Sequence, residues 1–269
     1  MDLSIIILNY KTNGLVKQCV KNIIVATANL DYEIIVVDND SQDGIQQMLK
    51  ENFPQVKFIQ TGSNLGFAAG NNTGIKEAQG KYLMILNPDV TVLDGSIEKM
   101  IKFMEANPAV GLVGPKLINP NGSYQISCRT FTKTKHIILL RTPLGKLASA
   151  KQCLDKHLMV DFDRLTNKEV DWLHGACLLA RKSAVNEIGM FDERYFMYVE
   201  DIDWCRRFWL ANYKVYYLAD AQMVHLLEKA SDHGSWNFWK LNKSTRWHIA
   251  SWLKYLLKYS GLKNYVRTN

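Results

Sequence analysis

Apolar positions follow two rhythms in the first half of the chain. Leu3–Leu8, Glu33–Val37 and Lys57–Ile59 hold short runs rich in Ile and Val, whereas Gly14–Ala28 and Asp43–Asn52 carry apolar residues at helical spacing. Short β-branched runs alternating with amphipathic stretches predict buried parallel strands joined by crossover helices. The pattern continues with a strand over Lys81–Leu86, stopped by Asn87-Pro88-Asp89. A helix capped by Asp94 and reaching about Ala106 follows, then a strand over Val110–Val113. From Asn119 to Val170 no period is sustained, and no element is assigned. Order returns with a strand over Trp172–Ala180, a helix over Ser183–Ile188, a turn over Gly189–Asp192, a helix from Asp201 to Ala211 and a last strand over Tyr213–Leu218. No repeat and no long linker interrupts the series. The expected fold class is α/β with a mostly parallel sheet flanked by helices: one domain over 1–235 and a C-terminal helical appendage over 236–269.

Composition adds one asymmetry. The 269 residues include 33 Lys+Arg and 26 Asp+Glu, a net charge of +7, with 47% hydrophobic residues, which excludes a disordered or low-complexity chain. The last acid is Asp232, and beyond it Lys240, Lys243, Arg246, Lys254, Lys258, Lys263 and Arg267 carry the whole excess. Residues 1–235 are electroneutral. On a helical projection, Phe238, Leu241, Ile249, Trp252, Leu253 and Leu256 share one face, opposite Lys240, Lys243, Lys254 and Lys258; Trp247 falls among the lysines. Two readings stay open for such a helix: its apolar face packs on the domain or on a second copy in a homodimer, or it lies on an anionic membrane surface. Five cysteines without CxxC or metal-ligand spacing suit a reducing compartment, and no stretch reaches the roughly 18 apolar residues needed to cross a bilayer. The expected location is cytoplasmic, with a peripheral position at the inner face of the cell membrane as the tail's contribution.

Candidate chemistry gathers where the strands end, as it does in open α/β sheets. Asp38 and Asp40 in Val36–Gly44 suit either a nucleotide's base and ribose or a turn and helix cap. Asn64–Gly74 concentrates glycine and amide side chains at a loop entering a helix, without matching a Walker A loop or GxGxxG. Asn87-Pro88-Asp89 reads as a turn or as a one-carboxylate divalent-metal site. Tyr198–Trp204 holds three acids at a helix start, among aromatic neighbours; capping explains some of them, and a carboxylate against apolar walls suits general-base work. His225 is a structural residue or a metal ligand, and His174 reads as a packing residue. GxSxG, HExxH and zinc spacings are absent from the sequence.

In order, Ser4–Tyr10, Val37–Ser41, Asn64–Phe67, Leu86–Asp89, Trp172–Ala176, Gly189–Glu193, Glu200–Asp203 and His225 resemble the family 2 glycosyltransferases of the GT-A fold. They are most similar to the bacterial rhamnosyltransferase-like branch, over about residues 3 to 230. The resemblance implies inverting transfer of a sugar from a nucleotide-diphosphate donor to a hydroxyl of a glycan or lipid-linked acceptor. By it, Asn9 and Asp38 line the nucleoside pocket, and the loop with Asn64, Gly66 and Asn72 closes over the donor. Asp89 and His225 hold Mg²⁺ or Mn²⁺, and Gly175 leaves room at the reaction centre. Asp201 is the base, while Trp172, Glu200 and Asp203 orient the acceptor side. The family's usual Asp-x-Asp is Asn87-Pro88-Asp89 here, leaving one carboxylate at that turn. Two other classes compete: a nucleotidyltransferase, for which Asn9-Tyr10-Lys11-Thr12 offers no glycine-rich, base-rich loop, and a non-catalytic protein whose tail grips an anionic surface. A nucleic-acid partner is not expected.

Overall fold

The computed structural model describes residues 1–27, 30–226 and 243–260. Ala28, part of the first predicted helix, and Phe238, Lys240, Leu241, Lys263 and Arg267 of the predicted tail lie outside the described residues.

Strands β1 (Leu3–Asn9), β2 (Tyr32–Asp38), β3 (Lys57–Gln60) and β4 (Tyr82–Leu86) alternate with helices α1 (Asn13–Ala26), α2 (Ile45–Asn52) and α3 (Gly66–Glu77). All three pairings, β1 with β2 and β4 and β2 with β3, are parallel. β1, β4 and the end of β2 are apolar on both faces because each face has a core, whereas edge strand β3 is only partly buried. Leu3, Ile5, Ile7, Val36 and Met84 enter one apolar cluster, and Ile6, Ile35, Val37, Leu83 and Ile85 enter the other. A fully buried side chain of this size contributes about 1.5–3 kcal/mol, so this half of the sheet is firmly held.

The second half inserts β5 (Val90–Val92), α4 (Ser96–Ala106), β6 (Val110–Ile118), β7 (Cys128–Arg129), α5 (Thr134–Arg141), a 3₁₀ turn (Pro143–Lys146), α6 (Ala148–Leu158), β8 (Lys168–Glu169), β9 (Trp172–Leu173), β10 (Cys177–Arg181), α7 (Lys182–Ile188), α8 (Glu200–Leu210), β11 (Lys214–His225) and α9 (Lys243–Tyr259). The sheet runs β3-β2-β1-β4-β10-β6-β11-β5, with β8 also on β11. β10 is antiparallel to both of its neighbours.

Five local expectations change, the first being that the strand expected over Val110–Val113 runs on through Gly114-Pro115 to Ile118. The strand predicted over Trp172–Ala180 is two strands in different sheets, because the chain turns at His174-Gly175-Ala176. The last strand continues past Leu218 to His225 through a bulge between Leu218 and Gln222. The aperiodic segment 119–170 contains two α-helices and short strands. α4 starts after Gly95, which takes a left-handed φ of 71°, with no side-chain cap from Asp94.

α9 packs on the body with a face that matches the projected one only in part: Trp252 packs against the core and Leu256 is half-buried, but Ile249 and Leu253 are not turned in. Ser251, Tyr255 and Tyr259 are buried, whereas Ile249, Leu253 and Leu257 are 46%, 58% and 76% exposed. The cause is the polar anchor beneath it, formed around Asp203. That carboxylate accepts from Arg207 Nε at 2.8 Å, Lys258 Nζ at 2.6 Å, the Tyr259 hydroxyl at 2.8 Å and the Tyr195 hydroxyl at 3.4 Å. A buried charge must be paired, and pairing it takes Lys258 and Tyr259 inward, which turns the leucine ridge out. Trp247 packs on Phe196 with ring centroids 4.5 Å apart.

Candidate active site

Parallel register sets the first part of the site. Asn9 stands opposite Asp38 at the carboxyl ends of β1 and β2, and Ile7 opposite Leu86 brings Asn87-Pro88-Asp89 to the same edge. Antiparallel β10 starts there, with Cys177 opposite Leu86 and the Asn87 N–H donating to the Ala176 carbonyl at 2.9 Å. His225 closes the row by pairing with Val90.

Asn9 and Asp38 are buried and joined: Asn9 Nδ2 donates to Asp38 Oδ1 at 2.8 Å and to Ser41 Oγ at 3.0 Å, and Asp38 Oδ2 accepts from the Ser41 N–H. Asn39, not singled out from sequence, ties this corner to the next loop. Its Nδ2 donates to the Gly66 carbonyl at 3.0 Å and its Oδ1 accepts from the Leu65 N–H, while Asn64 Oδ1 accepts from the Gly66 N–H. Gly66 has φ +81°, and a Cβ there would overlap the Phe196 carbonyl oxygen, which already accepts from the Phe67 N–H at 2.7 Å. Only glycine permits that approach. Asn72 is a buried strut: it exchanges hydrogen bonds with the Phe191 backbone and donates to Glu193.

The chain leaves Phe196 through Tyr198 and Val199, at φ 70° and 74°. Left-handed φ is costly for a β-branched residue, and contacts on both sides hold the turn. The Gly66–Phe67 loop grips Phe196, while α9 supplies Ser251, donating to the Met197 carbonyl at 2.9 Å, and Ser244, 2.6 Å from the Tyr198 hydroxyl. This turn delivers Glu200 and Asp201 to the first turn of α8.

Asp201 Oδ2 accepts from the Gly175 N–H at 3.0 Å and Oδ1 from the Ile202 N–H at 2.8 Å. Burial raises its pKa; the two N–H groups and the Arg129 guanidinium pull back, leaving it at about 6. Neighbouring Glu200 is pushed higher, by burial and then by Asp201, and its Oε2 is buried without a partner. A Cβ on Gly175 would meet Asp201 Cβ at 3.4 Å, an ordinary contact, so the turn lies directly against the carboxylate. Arg129, paired with Trp172 across β7 and β9, lies 5.3 Å from the Trp172 ring centroid, and its buried Nε has no partner. Sequence reasoning gave no sign of Arg129, which lies in the aperiodic segment. Trp172 is buried, with its indole N–H on the Thr130 carbonyl. Asp203 points its carboxylate into the α9 anchor described above.

Asp89 Oδ2 lies 3.4 Å from His225 Nε2, and Asp89 Oδ1 is buried without a hydrogen-bond partner. An orphaned carboxylate oxygen beside an imidazole nitrogen fits a divalent cation, although no group of three His, Cys, Asp or Glu side chains converges among the described residues. His174 lies 5.8 Å from His225, ring to ring, and burial first, then His225 and Arg129, hold its pKa down to about 4. Its Nδ1 accepts from the Ala176 N–H.

This arrangement is the GT-A transferase architecture. The chain superposes on GalNAc-T7 with UDP, GalNAc and Mn²⁺ at a TM-score of 0.66 and 14% identity, covering 84% of this chain and 44% of that one. It superposes on the mannosyltransferase PcManGT from Pyrobaculum calidifontis, in complex with GDP-Man and Mn²⁺, at 0.60 and 17%, covering 86% and 58%. The model of glycosyl transferase family 2 matches residues 4–189, and the chain belongs to that family. Among curated relatives, it is 31% identical to the N-acetylglucosaminyl-diphospho-decaprenol L-rhamnosyltransferase of Mycobacterium tuberculosis, over 71% of this chain and 66% of that protein. It is 26% identical to rhamnosyltransferase WbbL of Escherichia coli K12, over 97% of this chain and 94% of that protein.

Proposed function

We propose that the protein transfers a sugar, with inversion, from a nucleotide-diphosphate donor to a hydroxyl of a glycan or lipid-linked acceptor in cell-surface polysaccharide synthesis. Its rhamnosyltransferase relatives favour a rhamnosyl donor and an acceptor carried on a lipid diphosphate. The observation that carries the reading is Asp201: a half-buried carboxylate at the sheet's carboxyl edge, fixed by two N–H donors and raised by desolvation to about 6.

A general base works best when its pKa lies close to the operating pH. Ionised Asp201 takes the proton of the acceptor hydroxyl as its oxygen attacks the anomeric carbon, on the face opposite the leaving nucleoside diphosphate. Gly175 and Ile202 hold the carboxylate in one orientation. The Asn9–Asp38 corner binds the nucleoside, and the Asn64–Gly66 loop, braced by Asn39, covers the donor. Asp89 and His225 would hold Mg²⁺ or Mn²⁺; when bound, the ion neutralises the diphosphate leaving group. The Arg129 guanidinium, which lies over the Trp172 ring, adds positive charge near Asp201.

The domain division at residue 235 and the membrane role belong to the same reading. The outward face of α9 carries Lys243, Arg246, Ile249, Leu253, Lys254 and Leu257, bases and apolar residues together. Such a face suits the headgroup layer of an anionic membrane, on its cytoplasmic side. Among the described residues no helix is long and apolar enough to cross a membrane.

Thermal unfolding with a panel of dTDP-, UDP- and GDP-linked sugars, with and without Mn²⁺, tests the donor claim. At a ligand concentration of 100 Kd, the true donor stabilises the fold by about 2.7 kcal/mol. Stabilisation by no member of the panel would contradict the reading.

A further inference from the structure

Gln125 lies in the aperiodic segment, 100 residues before His225, yet both of its amide atoms meet that residue. Gln125 Nε2 donates to the His225 backbone carbonyl at 2.8 Å and to Asn119 Oδ1 at 2.8 Å. Gln125 Oε1 lies 2.8 Å from His225 Nδ1. A backbone carbonyl can only accept, so it fixes which end of the amide is the NH₂. The other end is then an oxygen, and His225 Nδ1 must carry a proton to reach it. In a neutral ring that leaves Nε2 bare, facing Asp89 Oδ2 at 3.4 Å, with Asp89 Oδ1 buried and orphaned beside it. Two acceptors turned towards one another are reconciled by a shared cation, a divalent ion when one is bound and a proton otherwise.

We propose that Gln125 is a positioning residue for the metal-binding imidazole: by accepting the Nδ1 proton of His225 it reserves the Nε2 lone pair for a divalent ion shared with Asp89. This rests on the metal reading given above and adds a residue to it. It also accounts for a workable site with one carboxylate at Asn87-Pro88-Asp89. A ligand whose tautomer is set in advance binds without having to move a proton, and partners of this kind typically carry a 10–100-fold effect on metal affinity.

The test uses the full chain, with Mn²⁺ alone as the probe. Free Mn²⁺ is followed by electron paramagnetic resonance during titration of wild type, Gln125→Leu and Gln125→Glu. Proton-detected ¹⁵N spectra of the histidine rings are recorded without metal in alkaline solution. Wild type is expected to show His225 protonated on Nδ1. Gln125→Leu, which cannot accept that proton, moves it to Nε2, beside Asp89, and weakens Mn²⁺ binding by about 10–100-fold. Gln125→Glu keeps an acceptor at Nδ1 and restores that tautomer and most of the affinity. A wild-type ring protonated on Nε2 overturns the inference whether or not the variants fold. Equal Mn²⁺ affinity in wild type and Gln125→Leu overturns it while sparing the metal site. Absence of Mn²⁺ binding by wild type overturns the metal reading itself, and the role given to Gln125 with it.

Discussion

Asp201 and Asp203 stand two residues apart on the first turn of α8 and face different regions of the molecule. Around Asp203 every polar direction is taken: one guanidinium, one ammonium and two phenols surround a carboxylate with no exposed surface, and α9 is fastened by that knot. Around Asp201 the same type of side chain meets only two backbone N–H donors and carries a raised pKa. A carboxylate with strong cationic partners is a structural anchor, and one that is desolvated and lightly held is a base. One acidic cluster in the sequence thus serves two purposes, and the α9 side braces the turn that aims the other.

The largest effect is expected on the anchor side. Asp203→Ala leaves Lys258 and Arg207 without their shared carboxylate, and breaking a buried pair in this way costs about 3–5 kcal/mol. Chemical denaturation should show that loss, and limited proteolysis should show α9 released. A variant as stable as wild type would break the comparison. Next comes the loop between the two regions. Gly66→Ala forces a Cβ into the Phe196 carbonyl at a left-handed φ, which alone costs about 1–2 kcal/mol, and should raise the donor KM more than it lowers kcat.

The base side is sharpened by pH. Because burial lifts the Asp201 pKa above the ordinary carboxylate value to about 6, its base form is lost as pH falls through that value. Below it, kcat/KM should drop about tenfold per pH unit, with each unit worth about 1.4 kcal/mol. Arg129→Met removes a neighbouring cation and should move this limb to higher pH. An acid limb at the ordinary carboxylate value would contradict the desolvated environment. The smallest effect is expected at Arg194, which pairs with Asp192 at 2.6 Å but has a 60% exposed side chain. Exposed pairs contribute about 0–1 kcal/mol, so Arg194→Ala should change stability within that range, measured by the same denaturation.

The first half of the fold is legible in the sequence because its central strands are buried on both faces and therefore largely apolar. Asp38 and Asp89 are placed at strand ends by that pattern alone, and Asn9 by the family resemblance. Three features were hidden. The break at His174-Gly175-Ala176 was masked by apolar residues on both sides, and it exists to bring the Gly175 N–H to Asp201. The strand reaching His225 was cut short at Leu218, because a bulge interrupts its alternation. Gln125 and Arg129 belong to a segment held by side-chain bonds rather than by periodic burial, so no spacing signals them. The face of α9 is legible only in part for a related reason: hydrophobic projection turns Trp252 and Leu256 inward but ignores a buried carboxylate, and Asp203 draws Lys258 and Tyr259 in beside them.

The most direct test of the account is Asp201→Asn in two assays on one preparation: donor binding by calorimetry and transfer by product formation. Asn keeps the size of the side chain and loses the proton acceptor. Donor affinity is expected to remain within a few-fold of wild type, while transfer falls by about 10²–10⁴, the usual contribution of a general base. Transfer at the wild-type rate, with donor still bound, would contradict the assignment of Asp201 as the base.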